Sequence, residues 1–457
     1  MPSKPRDVII YNAEFRQYAG RAEGTQLADW ERRIDMSKMR KDRHAKFVQE
    51  MKEKGIAVAL VVERRNVRYT TAYNAPTYEP GIGWAIVPAE GTPILWAHVP
   101  YAGDIQARRE FDWIKPEDIR GEDFPRELHP IPAMQAERRE KLAKEIKGVL
   151  EDRKLSKEVL VFDSSYPAMQ AALEKVGIKT RVEPNLGIEA MSIKTPEEIE
   201  CFRVLAAICD IIHYDTARYA RPGLTELDVT GYFRHRAMQL GCELEAGGFT
   251  MSGEHTDPNI RMSGHRLIRP GDIVYWDPWG LTWNGYRSCC YRTFIAGFKA
   301  SQKAQDAAKK ANERQYNAIT AIKPGNTTMD MVKASKSDFI HIHGLGLECY
   351  ALNPVNTHPG LEKEYPTELK EGHVFAMTVA CTEPGSPYYH LGPIGDGQGY
   401  DIEDMVLVTK TGCEVLTRFP SDVLLTVPLQ DDQGYVFRSP EDYLEEARKR
   451  LKLPAKP

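Results

Sequence analysis

Two hydrophobic rhythms alternate along this chain. From Lys41 the stretch KDRHAKFVQEMKEKG spaces its apolar residues as a helix does, and it runs into AVALVVE, VRYTTAY, WAIVP and PILWAHVP, short apolar runs punctuated by glycine and proline. That order predicts one helix followed by a set of short strands. A second helix over about 134–153, the strand VLVFD and a helix near 166–176 complete a mixed α/β domain, expected over 41–190. Residues 1–40 are polar and weakly periodic, as suits an arm laid over a domain or a partner subunit.

A new helix is expected after IKTPEEIECFR, where Thr195 and Glu198 make a capping box with Pro196 at the first helical position; it should run to about Tyr219. Beyond it the chain repeats itself. Pro222-Gly223-Leu224-Thr225-x-x-Asp228 returns as Pro324-Gly325-Asn326-Thr327-x-x-Asp330 at an offset of 102, and Gly271-Asp272-Ile273-Val274 is echoed by Gly372-His373-Val374-Phe375 at an offset of 101. Two halves of similar build suggest a pseudo-two-fold α/β domain over 191–420 with a site between the halves. The remainder, 421–457, holds a capped and charged helix from Ser439 and reads as a surface extension.

Composition narrows the function classes. A chain of 457 residues with 42% hydrophobic residues and a net charge of −4 has neither the basic surface of a nucleic-acid binder nor a run of about 18 apolar residues. MPSKPRDVIIYNAEF lacks the apolar core of a signal peptide, so a cytoplasmic enzyme without membrane or nucleic-acid partners is expected. Eight scattered cysteines without a C-x-x-C pair do not form a disulfide framework and read mostly as small buried hydrophobes.

The segment PGDIVYWDPWGLTWNGYRSCCYRTF, the run His343-Gly344-Leu345-Gly346-Leu347-Glu348 and the strand Ile402–Thr409 together resemble creatinase, prolidase and methionine aminopeptidase, and Ala57–Tyr73 is similar to the amino-terminal domain of the same enzymes. The resemblance implies a two-domain architecture with a "pita-bread" catalytic domain, a homodimer, and a two-metal site. Its ligand positions fall on Asp277, Cys289, His343, Thr378 and Glu403. Thr378 follows Asp277 by 101 residues, the offset of the internal repeat. Two neighbouring divalent ions need several bridging carboxylates, so a site with cysteine and threonine at two of five positions should not hold both. One ion, zinc or iron, on Asp277, Cys289, His343 and Glu403 remains chemically reasonable.

Without metal, His343, Asp277, Glu403 and His341 form a set able to do acid–base work. Strand alternation places Tyr275, Asp277 and Trp279 on one face. Tyr275, Trp279, His255, Arg292, Tyr286 and Thr378 are the expected substrate-binding residues. Seven aromatics between Tyr275 and Phe294 suit an aromatic substrate, or equally a strand core. Arg261, His265, Arg266 and Arg287 either meet an anionic group or form a solvated face. The spacing Asp277, Trp279, Cys289 and the run Gly253–Asn259 also resemble the dimethylsulfoniopropionate-lyase branch of the fold. The leading expectation is therefore a metal-independent lyase, without cofactor, breaking a carbon–carbon or carbon–heteroatom bond of a small aromatic substrate by proton transfer, for example with loss of formaldehyde from a phenol. Its alternatives are a mononuclear metal hydrolase or lyase using Cys289, and a non-catalytic peptide-binding module. A conventional Xaa-Pro peptidase comes last, because it requires Glu383 as the missing ligand.

Overall fold

The computed structural model describes residues 34–74, 83–98, 103–111, 113–122, 124, 131–243, 247–256, 262–297, 300–336, 340–348, 365–380, 400–420 and 425–427. The expectations for the arm before residue 34, Arg261, Glu383, Cys349, Cys381 and the helix from Ser439 lie outside them. These residues form two compact units: 34–199 with 346–348, and 200–345 with 365 onward.

The first unit is built on helix α1 (Met36–Glu53) and a six-stranded mixed sheet. Its strands are β1 (Val58–Val61), β2 (Gly83–Pro88), β3 (Ile94–His98), β4 (Ile119–Glu122), β5 (Leu160–Phe162) and β6 (Thr180–Val182), in the order β4-β3-β2-β1-β5-β6. VRYTTAY, expected as a strand, instead has its first five residues, Val67–Thr71, in α2 (Arg64–Thr71). Its β-branched residues are held in the helix by back-bonding: the hydroxyls of Thr70 and Thr71 donate to the carbonyls of Asn66 and Val67, four residues earlier, at 2.7 and 2.6 Å. Helices α3 (Gly103–Glu110), α4 (Pro132–Asp152), α5 (Pro167–Lys175) and α6 (Ile188–Ser192) complete the unit.

Helix α7 (Pro196–Tyr219) begins as its capping box dictates, the Thr195 N–H donating to Glu198 Oε2 at 2.8 Å and the Glu198 N–H to Thr195 Oγ1 at 3.2 Å. The second unit then shows the internal duplication directly. Helices α8 (Glu226–Gln239) and α10 (Thr328–Ser335) open on equivalent boxes, Thr225 with Asp228 and Thr327 with Asp330. The Gly223 N–H donates to the Ile268 carbonyl at 2.9 Å, and the Gly325 N–H to the Leu369 carbonyl at 3.0 Å. Gly271 and Gly372, at φ 90° and 88°, make the same left-handed turn into the strand that follows.

Each half contributes a four-stranded sheet. One has the order β16-β11-β8-β7, from β7 (Phe249–Ser252), β8 (Ile273–Asp277), β11 (Arg292–Ala296) and β16 (Leu425–Val427). The other has the order β12-β13-β14-β15, from β12 (Ile340–Gly344), β13 (Val374–Ala380), β14 (Asp401–Val408) and β15 (Cys413–Val415). A small hairpin of β9 (Thr282–Trp283) and β10 (Tyr286–Arg287) turns through Asn284 and Gly285, both at positive φ (50° and 83°), the backbone that a tight hairpin turn requires.

Period-two alternation sorts the second sheet. Ile340, Ile342, Phe375, Met377, Val406 and Val408 share a core with Ala318 and Ile322 of the α9 region and Met331 of α10, α9 being Gln302–Thr320. The opposite face is left to His341, His343, Ala376, Thr378, Asp401 and Glu403.

Candidate active site

Register brings that polar face together. His341 pairs with Thr378, which in turn pairs with Glu403, so the three stand in one row across β12, β13 and β14. In the next row His343 pairs with Ala376 and Ala376 with Met405. The small Ala376 side chain leaves a gap through which His343 reaches diagonally, its Nε2 lying 3.6 Å from Glu403 Oε1. Thr378 Oγ1 donates to the same Oε1 at 2.7 Å, while Oε2 has no hydrogen-bond partner among the described residues. The rings of His341 and His343 meet edge to face with centroids 4.9 Å apart.

From the first half come Asp277, at the end of β8, and Cys289. Cys289 Sγ is 3.9 Å from Asp277 Oδ2, and the Cys290 N–H donates to Asp277 Oδ1 at 3.4 Å. Ligand atoms of Cys289, His343 and Glu403 all lie within 4.8 Å of one another, and all three residues are buried. Among the described residues no other group of three such side chains is this close.

Burial dominates the electrostatics. It pushes the Asp277 carboxyl well above the usual range, with the charge of Glu403 adding to it, and pushes Glu403 up to about 7. The Cys289 thiol is driven upward by burial and then by Asp277 and Glu403. Burial lowers His343 to about 3, with His341 adding to the effect, and lowers His341 to about 4. In the absence of a cation, burial therefore favours the protonated acids and the neutral imidazoles. A divalent ion among them reverses that balance and releases protons as it binds.

Two further residues belong here: Asp401, which the sequence reading passes over, and Tyr291, which it counts only among the seven aromatics. Asp401 sits two residues from Glu403 on the same strand face and is buried, its carboxyl raised well above normal by burial and then by Glu403; the alternation of β14 is the signal that points to it. Tyr291 is buried against Tyr275, their centroids 5.8 Å apart, with its phenol raised by burial and by Asp277.

The other expected substrate residues are placed differently. Arg292 is fully enclosed: its guanidinium donates to the carbonyls of Phe419, Tyr291 and Glu403 and forms a 2.7 Å ion pair with Asp404. It braces the two sheets against each other. Tyr286 is buried with its ring against Phe202. His255 follows Ser252, which pairs with Val274 whereas Phe249 pairs with Asp277; its Nδ1 bonds buried Glu226 at 2.9 Å. Tyr275 packs with Phe249, Met251 and Tyr291, and Trp279, 37% exposed, lies past the end of β8 near Phe249. Six of the seven aromatics are buried: Trp276 stacks on Phe294 at 4.0 Å, for example, and donates through Nε1 to His213. The cluster is core packing more than pocket lining. Arg266 is paired with Asp272 and Glu254, and His265 is exposed.

With this geometry in hand, comparison with known proteins decides the family. Metallopeptidase family M24 matches residues 200–410, and the creatinase/prolidase N-terminal domain matches residues 43–179. The chain belongs to the creatinase/prolidase superfamily. It is 28% identical over 274 residues to the Xaa-Pro dipeptidase of Pyrococcus furiosus, a match covering 57% of this chain and 73% of that protein. It is 30% identical over 250 residues to the probable dipeptidase PepE of Mycobacterium tuberculosis, covering 52% of this chain and 61% of the relative. The fold matches that of the Xaa-Pro dipeptidase from Bacillus anthracis with a TM-score of 0.62 at 22% identity, over 84% of this chain and 99% of that one.

Family membership corrects the leading functional expectation. A lyase working without cofactor does not fit a superfamily of metallopeptidases whose similar members are named dipeptidases, which are hydrolases. The acid–base residues that suggest a lyase are also metal donors, and the burial that would tune them for proton transfer equally prepares a dry site for a cation. The metal-dependent alternative is the better supported one. No helix among the described residues is long and apolar enough to cross a membrane.

Proposed function

We propose that this chain is a metal-dependent hydrolase acting on a small, peptide-like substrate, with one zinc or iron ion held by Cys289, His343 and Glu403 and with Asp277 as the fourth donor. The observation that carries this reading is the convergence of three buried donor atoms, thiol, imidazole and carboxylate, within 4.8 Å, together with Glu403 Oε2, which has no hydrogen-bond partner among the described residues. An unpartnered oxygen in a buried carboxylate is costly unless a ligand completes it. Thiolate, imidazole and carboxylate together suit a tetrahedral zinc or iron ion. Cys289 and Thr378 occupy positions where the family resemblance places carboxylates, and that supports one ion over two.

Bound there, the ion would polarise a substrate carbonyl and lower the pKa of water. The chain's own groups do the rest. Asp277 is oriented by the Cys290 N–H. His341, kept neutral by burial, presents its imidazole beside His343 for hydrogen bonding. The dipeptidase names of the relatives support a short peptide as substrate. A homodimer is part of the same reading and is checked by light scattering.

Elemental mass spectrometry on protein purified without a metal-affinity column, paired with dipeptide hydrolysis before and after chelation, tests the proposal. About one zinc or iron per chain, with hydrolysis lost on chelation and restored by the ion, supports it. Two ions per chain would make the site dinuclear, and hydrolysis that persists in metal-free protein would overturn it.

A further inference from the structure

We infer that Thr378 is a positioning residue, which pins Glu403 so that a single oxygen, Oε2, is offered to the ion. The inference rests on the metal-dependent reading above. It goes beyond that reading by giving a role to a residue that cannot itself be an anionic ligand.

Thr378 is buried, at 4% exposure, and lies directly opposite Glu403 in the β13–β14 ladder. Cross-strand neighbours on one face are held at a separation fixed by the sheet, so this pair does not depend on a mobile loop. A β-branched side chain in a strand has restricted χ1 freedom, which fixes where the hydroxyl points. It points at Glu403: Oγ1 donates to Oε1 at 2.7 Å. That oxygen also faces His343 Nε2 at 3.6 Å, whereas among the described residues Oε2 has no nitrogen or hydroxyl donor and only the Cys289 thiol stands near the carboxylate. The two carboxylate oxygens are thereby made inequivalent, one spoken for by the strand partner and one left over. A carboxylate that could rotate freely would lose that distinction. Ala376, the next residue of β13 on the same face, offers neither charge nor bulk, so β13 supplies no ligand of its own and acts on the ion only through Glu403.

Outer hydrogen bonds of this kind commonly change metal affinity about 10–100-fold when removed. Zinc affinity by chelator competition, and the visible spectrum of the cobalt-substituted protein, would be measured on the wild type, Thr378→Val and Thr378→Ser. Thr378→Val keeps the shape and deletes the donor; it should bind zinc about 10–100-fold more weakly and shift the cobalt bands. Thr378→Ser keeps the donor and should restore both to near wild type. Should the valine variant not fold, Thr378→Ala is read in the same way. Tight zinc binding by the wild type with unchanged affinity and spectrum in the valine variant overturns the inference alone. A wild type that takes up no zinc, iron or cobalt ends the single-ion reading and the inference with it.

Discussion

Thr378 faces Glu403 across β13 and β14 at a 2.7 Å hydrogen bond, from the position that the internal repeat aligns with Asp277. The duplication has therefore been used unequally. In the first half the aligned residue is a carboxyl at the end of β8; in the second it is a hydroxyl that serves the carboxyl of the neighbouring strand. Acidity at the site comes from β8 and β14, with β12 giving the imidazoles and Cys289 the thiol.

Cys289 decides which ion the proposed site prefers. Replacing its sulfur by a carboxylate, Cys289→Asp, should keep about one ion per chain but move the preference from zinc or iron toward manganese or magnesium, because hard oxygen donors favour hard ions. Cys289→Ala should leave the purified protein nearly metal-free. Elemental analysis of both variants reads this, and an alanine variant that keeps its zinc would remove Cys289 from the ligand set.

Much of this was open to inspection in the sequence, for reasons that differ by residue. Capping boxes at Thr195, Thr225 and Thr327 are local and need no tertiary knowledge. The repeat offset carries Asp277 onto Thr378, and strand alternation puts His341 with His343. Hidden were the features that depend on which face of a strand is inward: the aromatics from Tyr275 to Phe294 suit a pocket or a strand core equally, and six of the seven prove buried, while Arg292 reads as a substrate group but is enclosed by carbonyls and Asp404. Val67–Thr71 carries strand-like residues, and only the contacts of α2 override that propensity. The functional class was misjudged because the same acids serve proton transfer and metal binding, and sequence alone does not separate the two.

Ala376 keeps open the gap between His343 and Glu403. Ala376→Leu forces extra carbons into a fully buried position and should cost about 1–3 kcal/mol. It should also weaken metal binding, since His343 would be pushed off Glu403. Urea denaturation gives the first quantity and chelator competition the second; a variant with reduced stability but wild-type zinc affinity would show that the diagonal contact is dispensable.

Arg292 and Asp404 form a buried ion pair, and Asp404 also accepts from Gln315 at 3.0 Å and Thr417 at 2.8 Å. Arg292→Met strands that carboxylate and leaves the Phe419 and Glu403 carbonyls without their donor, which should cost about 3–5 kcal/mol. Adding Asp404→Leu should recover part of the loss, because the orphaned charge goes with it. Denaturation of the two single variants and the double variant closes the cycle. Strict additivity would mean that the pair is not coupled.

Asp163 offers a pH test in the first unit, whereas the residues of the proposed metal site all belong to the second. Its carboxyl accepts from the Val62 N–H at 2.8 Å and from Asn66 Nδ2 at 2.8 Å, yet burial raises it from 3.8 to about 6. The folded unit then holds a proton between about pH 4 and 6 that the unfolded chain has released. Its stabilising effect is complete below pH 4 and is lost as the pH rises through 6. The change from this group alone amounts to about 3 kcal/mol at most. Hydrogen-exchange protection of the β1 and β5 amides, converted to opening free energies, should therefore fall between pH 4.5 and 7.5 in the wild type. Asp163→Asn cannot titrate. It should be less stable at every pH, since an amide N–H placed against Asn66 or the backbone donors loses a hydrogen bond, but its protection should lack that slope. An equal slope in both proteins would mean that Asp163 is ionised throughout the range.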